Sequence, residues 1–375
     1  MANADYKLLT PLVLGKDFEL KNRVVLAPLV RARANVDRTL SELQEIYYEQ
    51  RAGAGLIITE ATAISDQGHG SYRGPALYKK EHADGWKKII DRVHAKGGKI
   101  VVQLWHTGRK SHPSYHEVKE SVAPSAIRVE SGSTRDANGQ NTKYVTPRAL
   151  KPDEIPGIVE NYRRSAELAM QAGFDGVEIN SANGYLLDTF LQSATNKRTD
   201  NYGGSFENRA RILFEVLDAV MTAWSSDRIG VRLSPNGSHA DMGSEDNFEF
   251  FTYVMEYLST HNLAYLATID AGGFFGFHNK CRPMTVFDAK KAFKGTVMAT
   301  SNYDRNTAEG ALRSGAADLV AFGRLYISNP DLAERFANDW SVSDLPSEDD
   351  FLGRAVEGKD QGHGYIDFPA YVQTP

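Results

Sequence analysis

Short apolar runs rich in Val, Ile and Leu recur along the chain at 23–29, 55–61, 99–105, 174–179, 228–233, 263–269, 296–300 and 318–322, with polar or glycine residues at their margins. They show little alternation, the pattern of strands covered on both faces as in a parallel sheet wrapped by helices. Helical patterns lie between them. The first is predicted to open at Thr39-Leu-Ser-Glu42, which has capping-box spacing, and its apolar positions Leu40, Leu43, Ile46 and Tyr47 follow the helical period. Later helices are predicted at about 80–96, 152–172, 206–224, 245–261, 285–293, 305–314 and 330–338. Eight β-then-α units in an unbroken row predict an α/β protein, a single (β/α)8 TIM barrel over 1–375 with no dividing linker. A doubly wound sheet is the runner-up, but it requires a Gly-x-Gly-x-x-Gly turn after an early strand, and none is present.

Two excursions interrupt the regular spacing. Residues 111–150 form a polar stretch dense in Ser, Pro, Asn and Gly, a candidate lid; residues 271–283 hold Phe274, Phe275 and Phe277. Both follow strands and so fall on the carboxyl-terminal face, where substrate walls are built.

Composition narrows the class. With 41% hydrophobic and 24% charged residues the chain is an ordinary globular protein, and a net charge of -5 with scattered basic residues argues against a nucleic-acid partner. No apolar run approaches the roughly 20 residues that cross a bilayer, and the first residues lack the charged and apolar regions of a signal peptide. Cys281 is the only cysteine, which excludes an internal disulfide and a multi-cysteine metal site. The expectation is a cytoplasmic monomer or homodimer acting on a small molecule. His106, His112 and His116 lack carboxylates at ligand spacing, so they read as loop histidines and no metal is expected.

Candidate chemistry gathers at the strand ends, as it does in parallel barrels. The fourth strand runs straight into a turn carrying Asn180, Asn183 and Tyr185. Helix-capping amides would explain any one of them; three polar groups at one strand end point to a site. The loops after the seventh and eighth strands read Ser301-Asn302-Tyr303 and Gly323-Arg324, where a glycine allows close backbone approach and an arginine fork matches phosphate oxygens. The third strand ends Gln103-Leu-Trp-His-Thr-Gly-Arg109, the fifth Arg232-Leu-Ser-Pro235 and the first Ala27-Pro-Leu-Val-Arg31. Such a mouth suits a flat phosphorylated cofactor, which spacing alone does not name.

Motifs from end to end resemble the Old Yellow Enzyme family of FMN-dependent ene reductases, which includes the plant 12-oxophytodienoate reductases. They are Leu8-Leu-Thr-Pro-Leu, Asn22-Arg-Val-Val-Leu-Ala-Pro, Ile58-Thr-Glu-Ala-Thr62, the Gln103 motif, Val177-Glu-Ile-Asn-Ser-Ala-Asn-Gly-Tyr-Leu, Arg198-Thr-Asp-Asn-Tyr-Gly-Gly-Ser, Ala321-Phe-Gly-Arg-Leu-Tyr-Ile-Ser-Asn-Pro-Asp-Leu332 and Gly364-Tyr-Ile-Asp-Phe-Pro369. The resemblance implies FMN bound non-covalently at the barrel mouth. The backbone at Ala27, Pro28, Leu29 and Ala61 would line its ring, Gln103 would bond the pyrimidine edge, and Arg232 would sit near N1 and O2 to stabilise the reduced cofactor. Ser301, Asn302, Gly323 and Arg324 would hold the phosphate. Tyr185 matches the family's proton donor, and Asn180 with Asn183 matches the pair that grips a carbonyl or nitro oxygen. Tyr72, Trp105, His239, Phe274 and Phe275 would line the substrate pocket, with Trp105 as its floor; an exposed turn is the alternative for Tyr72. NADPH, with NADH second to it, would reduce the flavin.

Four positions depart from the family pattern. Asn180 stands where histidine is usual, Val30 where a threonine or cysteine meets flavin O4, Phe351-Leu352 where Phe-Tyr is frequent, and Ser301 where glycine is common. An ene reductase acting on α,β-unsaturated carbonyl or nitro compounds is the expectation. The alternative is a flavin-binding protein with weak or altered turnover, used for sensing or slow isomerisation. A phosphosugar enzyme on the same barrel leaves Gln103 and Tyr185 unexplained.

Overall fold

The computed structural model describes residues 5–270, 276–352 and 360–372. The eight predicted runs form β1 (Val24–Leu26), β2 (Leu56–Ile58), β3 (Ile100–Trp105), β4 (Gly176–Ser181), β5 (Ile229–Leu233), β6 (Tyr265–Ile269), β7 (Val297–Thr300) and β8 (Leu319–Phe322). Each pairs in parallel with the next, and Val320 opposite Val24 joins β8 to β1, so the sheet closes into a barrel. Around it lie α1 (Glu42–Gln50), α2 (Lys80–Ala95), α3 (Ile155–Ala172), α4 (Phe206–Met221), α5 (Asn247–Ser259), α6 (Val286–Phe293), α7 (Arg305–Arg313) and α8 (Leu332–Asn338). No helix among the described residues is long and apolar enough to cross a membrane.

Residue alternation explains why the strands read as continuous apolar runs. One set, including Val24, Leu26, Val102, Leu104, Val177, Ile179 and Val231, packs outward against Trp86, Ile212 and other helix residues. The other set points inward, and at the lower end it is apolar: Val25, Leu56, Val101, Met298 and Leu319. A hairpin of Leu12–Leu14 and Phe18–Leu20 adds Leu14, Phe18 and Leu20 to that cluster, plugging the amino-terminal end. Gly230 is what lets the Tyr265 ring lie inside, because a Cβ there would stand 2.3 Å from its Cζ. Higher up, the inward set becomes polar with Gln103, Glu178, Asn180 and Arg232, all buried. The chemistry thus begins where the apolar plug ends.

Some boundaries differ from the sequence reading. The capping box of α1 is Ser41 with Gln44; Thr39 is not the cap, because its hydroxyl donates to Asp37 Oδ1 at 2.6 Å. Strand β4 starts at Gly176, after Phe174 and Asp175; the Asp175 carboxylate accepts from the Ile100 amide at 2.8 Å and caps the strand base instead of extending it. Residues 111–150 contain a two-stranded antiparallel pair (Thr134–Arg135 with Asn141–Thr142) and a parallel bridge of Val122–Ala123 to Arg148–Ala149. The short helices Leu186–Leu191 and Arg324–Ser328 occupy stretches read as loops. Phe274 and Phe275 lie outside the described residues.

Beyond α8 the chain returns to the barrel mouth. Arg31 donates to the carbonyls of Phe351 (3.2 Å), Asp350 (3.1 Å) and Gly364 (2.8 Å), and Arg33 to that of His363 at 3.0 Å. The Arg31 guanidinium is 5.2 Å from the Tyr47 ring centre and 5.0 Å from that of Tyr365. The tail is therefore fastened to the end of β1.

Candidate active site

A cavity of about 510 Å³ opens at the carboxyl-terminal face above β1, β5, β7 and β8. Of the predicted cofactor residues it is lined by Ala27, Pro28, Leu29, Arg232, Ser301, Asn302, Gly323 and Arg324, and Phe351 from the tail forms part of its wall. Arg324 Nη2 donates to Asn302 Oδ1 at 3.0 Å, which aims the guanidinium across the loop after β7. That loop is bent sharply: φ is +113° at Ser301 and +48° at Asn302. Serine is strained in this left-handed region, where glycine is favoured, so the departure at Ser301 carries a backbone cost that local function must offset.

Arg232 reaches the cavity from the barrel interior. Its Nη1 is buried without a hydrogen-bond partner, while Nη2 lies 3.4 Å from Thr300 Oγ1. Burial pushes its pKa below the usual arginine value, and the Glu178 carboxylate acts the other way. A buried guanidinium N–H with no acceptor costs roughly 1–3 kcal/mol or more, so the geometry asks for an external acceptor. A flavin pyrimidine edge supplies one, and the Arg324 fork supplies a phosphate contact: the residues present fit FMN.

Val30, Ala61 and Gln103 do not line that cavity. Val30 and Ala61 join an apolar cluster with Trp105 and Tyr185, beside the cavity towards β3 and β4. Gln103 is held inside the barrel, donating to Glu178 Oε1 at 2.5 Å and accepting from Asn180 Nδ2 at 2.9 Å. The Asn180 Oδ1 accepts from the Ala182 amide at 3.1 Å, so both ends of that amide are engaged.

The turn after β4 is built for Asn183 and Tyr185. Asn183 and Gly184 are left-handed, with φ of +59° and +75°. The bend is locked from below: Gly184 N donates to Asp188 Oδ2 at 2.8 Å, and Asn183 N to Ser234 Oγ at 2.7 Å. Asn183 Oδ1 is buried without a partner. Burial raises the Asp188 carboxyl to about 6, against the pull of its hydrogen bonds from Gly184, Gln192 and Ser234. Asn180 and Asn183 are thus unlike. One is committed to the barrel network, and the other holds an unspent acceptor on a rigid turn.

Tyr185 stands edge-on to Trp105, with ring centres 4.4 Å apart at 69°. Burial pushes its phenol well above the ordinary range; nearby Tyr144 adds to the rise and Arg232 opposes it. Lys110 Nζ lies 4.0 Å from the centre of the same ring and donates to the Asn183 carbonyl at 3.2 Å. His239, on the turn His239–Asp241, is exposed, and the Lys110 charge is the main influence pushing its imidazole below the usual range. Tyr72 lines a separate cavity of about 200 Å³ with His69 and Tyr115. Among the described residues no cluster could hold a metal ion. His116 Nε2 lies 2.7 Å from the His69 carbonyl, and His106 is buried with its pKa pushed down to about 3.

Sequence reading missed Lys110, Asp188, Glu178 and Tyr144. A signal existed for Asp188, a lone carboxylate inside the apolar run Leu186–Leu191. Arg109-Lys110-Ser111 looks like a solvated charge pair, and only the packing of two loops reveals otherwise.

Comparison with known proteins adds an independent line. A model of the NADH:flavin oxidoreductase / NADH oxidase family matches residues 7–341. The chain is 37% identical to 12-oxophytodienoate reductase 2 of Arabidopsis thaliana over 387 residues, covering 100% of this chain and 99% of that protein. It is 38% identical to 12-oxophytodienoate reductase 7 of Oryza sativa subsp. japonica over 369 residues, 94% of this chain and 92% of that one. Among solved structures, morphinone reductase superposes with a TM-score of 0.90 at 40% identity, over 99% of this chain and 98% of that one. The old yellow enzyme homologue from Zymomonas mobilis gives 0.90 at 36% identity, over 97% and 100%. Morphinone reductase has also been solved in complex with tetrahydroNAD.

Proposed function

Because this chain belongs to the NADH:flavin oxidoreductase / NADH oxidase family, as an Old Yellow Enzyme-type flavoprotein whose cofactor is FMN, we propose that it is an ene reductase with Tyr185 as its proton donor. When bound, FMN supplies the hydride chemistry, from a reduced nicotinamide to the β-carbon of an α,β-unsaturated carbonyl or nitro compound. Arg232 and Arg324 hold it, the first offering its unpartnered Nη1 and the second its guanidinium fork. Asn183 presents a side-chain amide to the substrate oxygen, and Tyr185 gives its proton to the α-carbon. The phenolate left behind recovers a proton from solvent, so each turnover consumes one nicotinamide hydride and one proton.

The observation that carries this reading is the position of Tyr185. It packs against Trp105 in the apolar cluster that includes Ala61 and is also met by Val30, on a turn whose two left-handed residues fix its direction. Positioned general acids contribute about 100- to 10,000-fold, and a rigid turn is what positioning needs. NADPH is the proposed donor and NADH the alternative. The deciding experiment is nicotinamide consumption by the FMN-loaded protein with 2-cyclohexenone or an N-substituted maleimide, run with each donor in turn. Reduction of the flavin without consumption of either alkene would replace the ene-reductase reading with sensing or slow isomerisation.

A further inference from the structure

We propose that Lys110 is a positioning residue for Tyr185, and that its charge state sets how readily that phenol gives up its proton. The proposal rests on the reading of Tyr185 as proton donor. It begins with a packing fact. Lys110 ends the short turn Gly108–Lys110 after β3, and that turn is pressed against the start of the helix after β4. The Leu186 amide donates to the His106 carbonyl at 2.9 Å, and a Cβ on Gly108 would lie 2.9 Å from Leu186 Cα. The two loops are therefore laced together, and the Lys110 side chain is caught between them, only 7% exposed.

Buried lysines ordinarily find a carboxylate. Among the described residues Lys110 has none within ion-pair distance. Its ammonium has the Asn183 carbonyl at 3.2 Å and the face of the Tyr185 ring at 4.0 Å. Both contacts belong to the turn that carries the substrate-facing groups. A structural lysine elsewhere would be matched or exposed; this one is held against the proton donor.

The groups around it decide its titration. Asp188, from the helix Leu186–Leu191, favours the charged form, and Arg109 on its own turn disfavours it. His239, on the turn after β5, is kept neutral largely by the Lys110 charge itself, and Asp241 there opposes that effect. Tyr144, from residues 111–150, and Arg232, from β5, act on Tyr185 instead. Burial outweighs the others and brings Lys110 down to about 7. Arg232 stays cationic across the working range, so it cannot give Tyr185 a step in pH; Lys110 can.

The sign follows from electrostatics. A cation over the ring favours the negative charge that grows as the phenol releases its proton, so protonated Lys110 speeds proton delivery and neutral Lys110 does not. Cation–π contacts in a desolvated site lead us to expect a loss of roughly three- to tenfold as pH rises through neutrality.

The test is the oxidative half-reaction of pre-reduced, FMN-loaded protein with 2-cyclohexenone, a substrate that does not titrate, followed by stopped flow from pH 5.5 to 9. Wild type should show the step near neutrality. Lys110→Met should be flat at the high-pH rate, and Lys110→Arg, charged throughout, flat at the low-pH rate. A purely structural lysine would not give that split. A step that survives in Lys110→Met belongs to Asp188 or another group and overturns the proposal. If Lys110→Met does not fold, Tyr185→Phe decides: loss of the step there supports the coupling, and a slower rate with the same step overturns it. A Tyr185→Phe rate equal to wild type at every pH would instead sink the donor reading, and this proposal with it.

Discussion

The flavin side and the proton side of the barrel mouth are built on opposite plans. Above β1, β5, β7 and β8 lies open space of about 510 Å³ with polar groups left to meet a ligand, Arg232 Nη1 foremost. Above β3 and β4 the groups are tied to one another, Gln103 with Glu178 and Asn180, Asn180 with Ala182, Gly184 with Asp188, and the Asn183 backbone with Ser234 and Lys110, while Asn183 Oδ1 keeps no partner. One side is shaped to be completed by a cofactor. The other is held in place by its own contacts, which suits the proposed proton donor, whose direction has to be fixed before substrate arrives. The lesson is that a binding surface and a reacting surface can share one ring of strand ends and still differ in how far their side chains are fixed by internal contacts.

The sharpest break of this contrast is Tyr185→Phe. It should slow the oxidative half-reaction with poor enones by ~100- to 10,000-fold and leave flavin reduction intact, since the acid is needed only when the α-carbon is protonated. Stopped-flow traces in which the reductive half-reaction suffers instead would move Tyr185 to the other side of the comparison. Arg324→Ala attacks the open side. Removing a charge-assisted phosphate contact of about 1.5–3 kcal/mol should weaken FMN binding roughly ten- to a hundredfold; retention of flavin through dialysis equal to wild type would put the phosphate elsewhere.

Asn180→His probes the seam between the two sides. Histidine adds a donor that is charged below about pH 6.5, so p-hydroxybenzaldehyde, bound as its phenolate, should bind up to about tenfold more tightly there than to wild type, whose asparagine is neutral at every pH. Identical charge-transfer titrations of the two proteins would mean that Asn180 serves only the Gln103 network. Val30→Thr is the mildest change. A hydroxyl beside flavin O4 adds a bond of ~1 kcal/mol to the reduced form, which raises the two-electron potential by about 20 mV. An unchanged or lower potential in potentiometric titration would show that Val30 does not face the ring.

The open side was also the legible one. Barrel strands covered on both faces announce themselves as apolar runs, and the strand ends follow from topology; hence order along the chain is enough to place Ala27, Asn302 and Arg324 at the mouth, where they line the cavity. The side above β3 and β4 depends on contacts between loops that are far apart in sequence. Nothing in Arg109-Lys110-Ser111 says that Gly108 lets the loop after β4 close over it. The hairpin of Leu12–Leu14 and Phe18–Leu20 is not legible in the sequence because its strands are three residues each, too short for a period to show. The shift of the α1 cap from Thr39 to Ser41 reflects competition for a hydroxyl, which spacing alone does not arbitrate.

The tail fastened to Arg31 bears on how the protein is made. During synthesis the barrel can close once β8 has left the ribosome, yet Phe351, part of the cavity wall, is held by Arg31 together with Gly364, which emerges later still. A nascent chain therefore passes through an interval in which it has a closed barrel and an unfinished cofactor wall, with the Arg31 guanidinium lacking its carbonyls. The wall of the cavity is complete only once Gly364 has emerged, well after the last barrel strand.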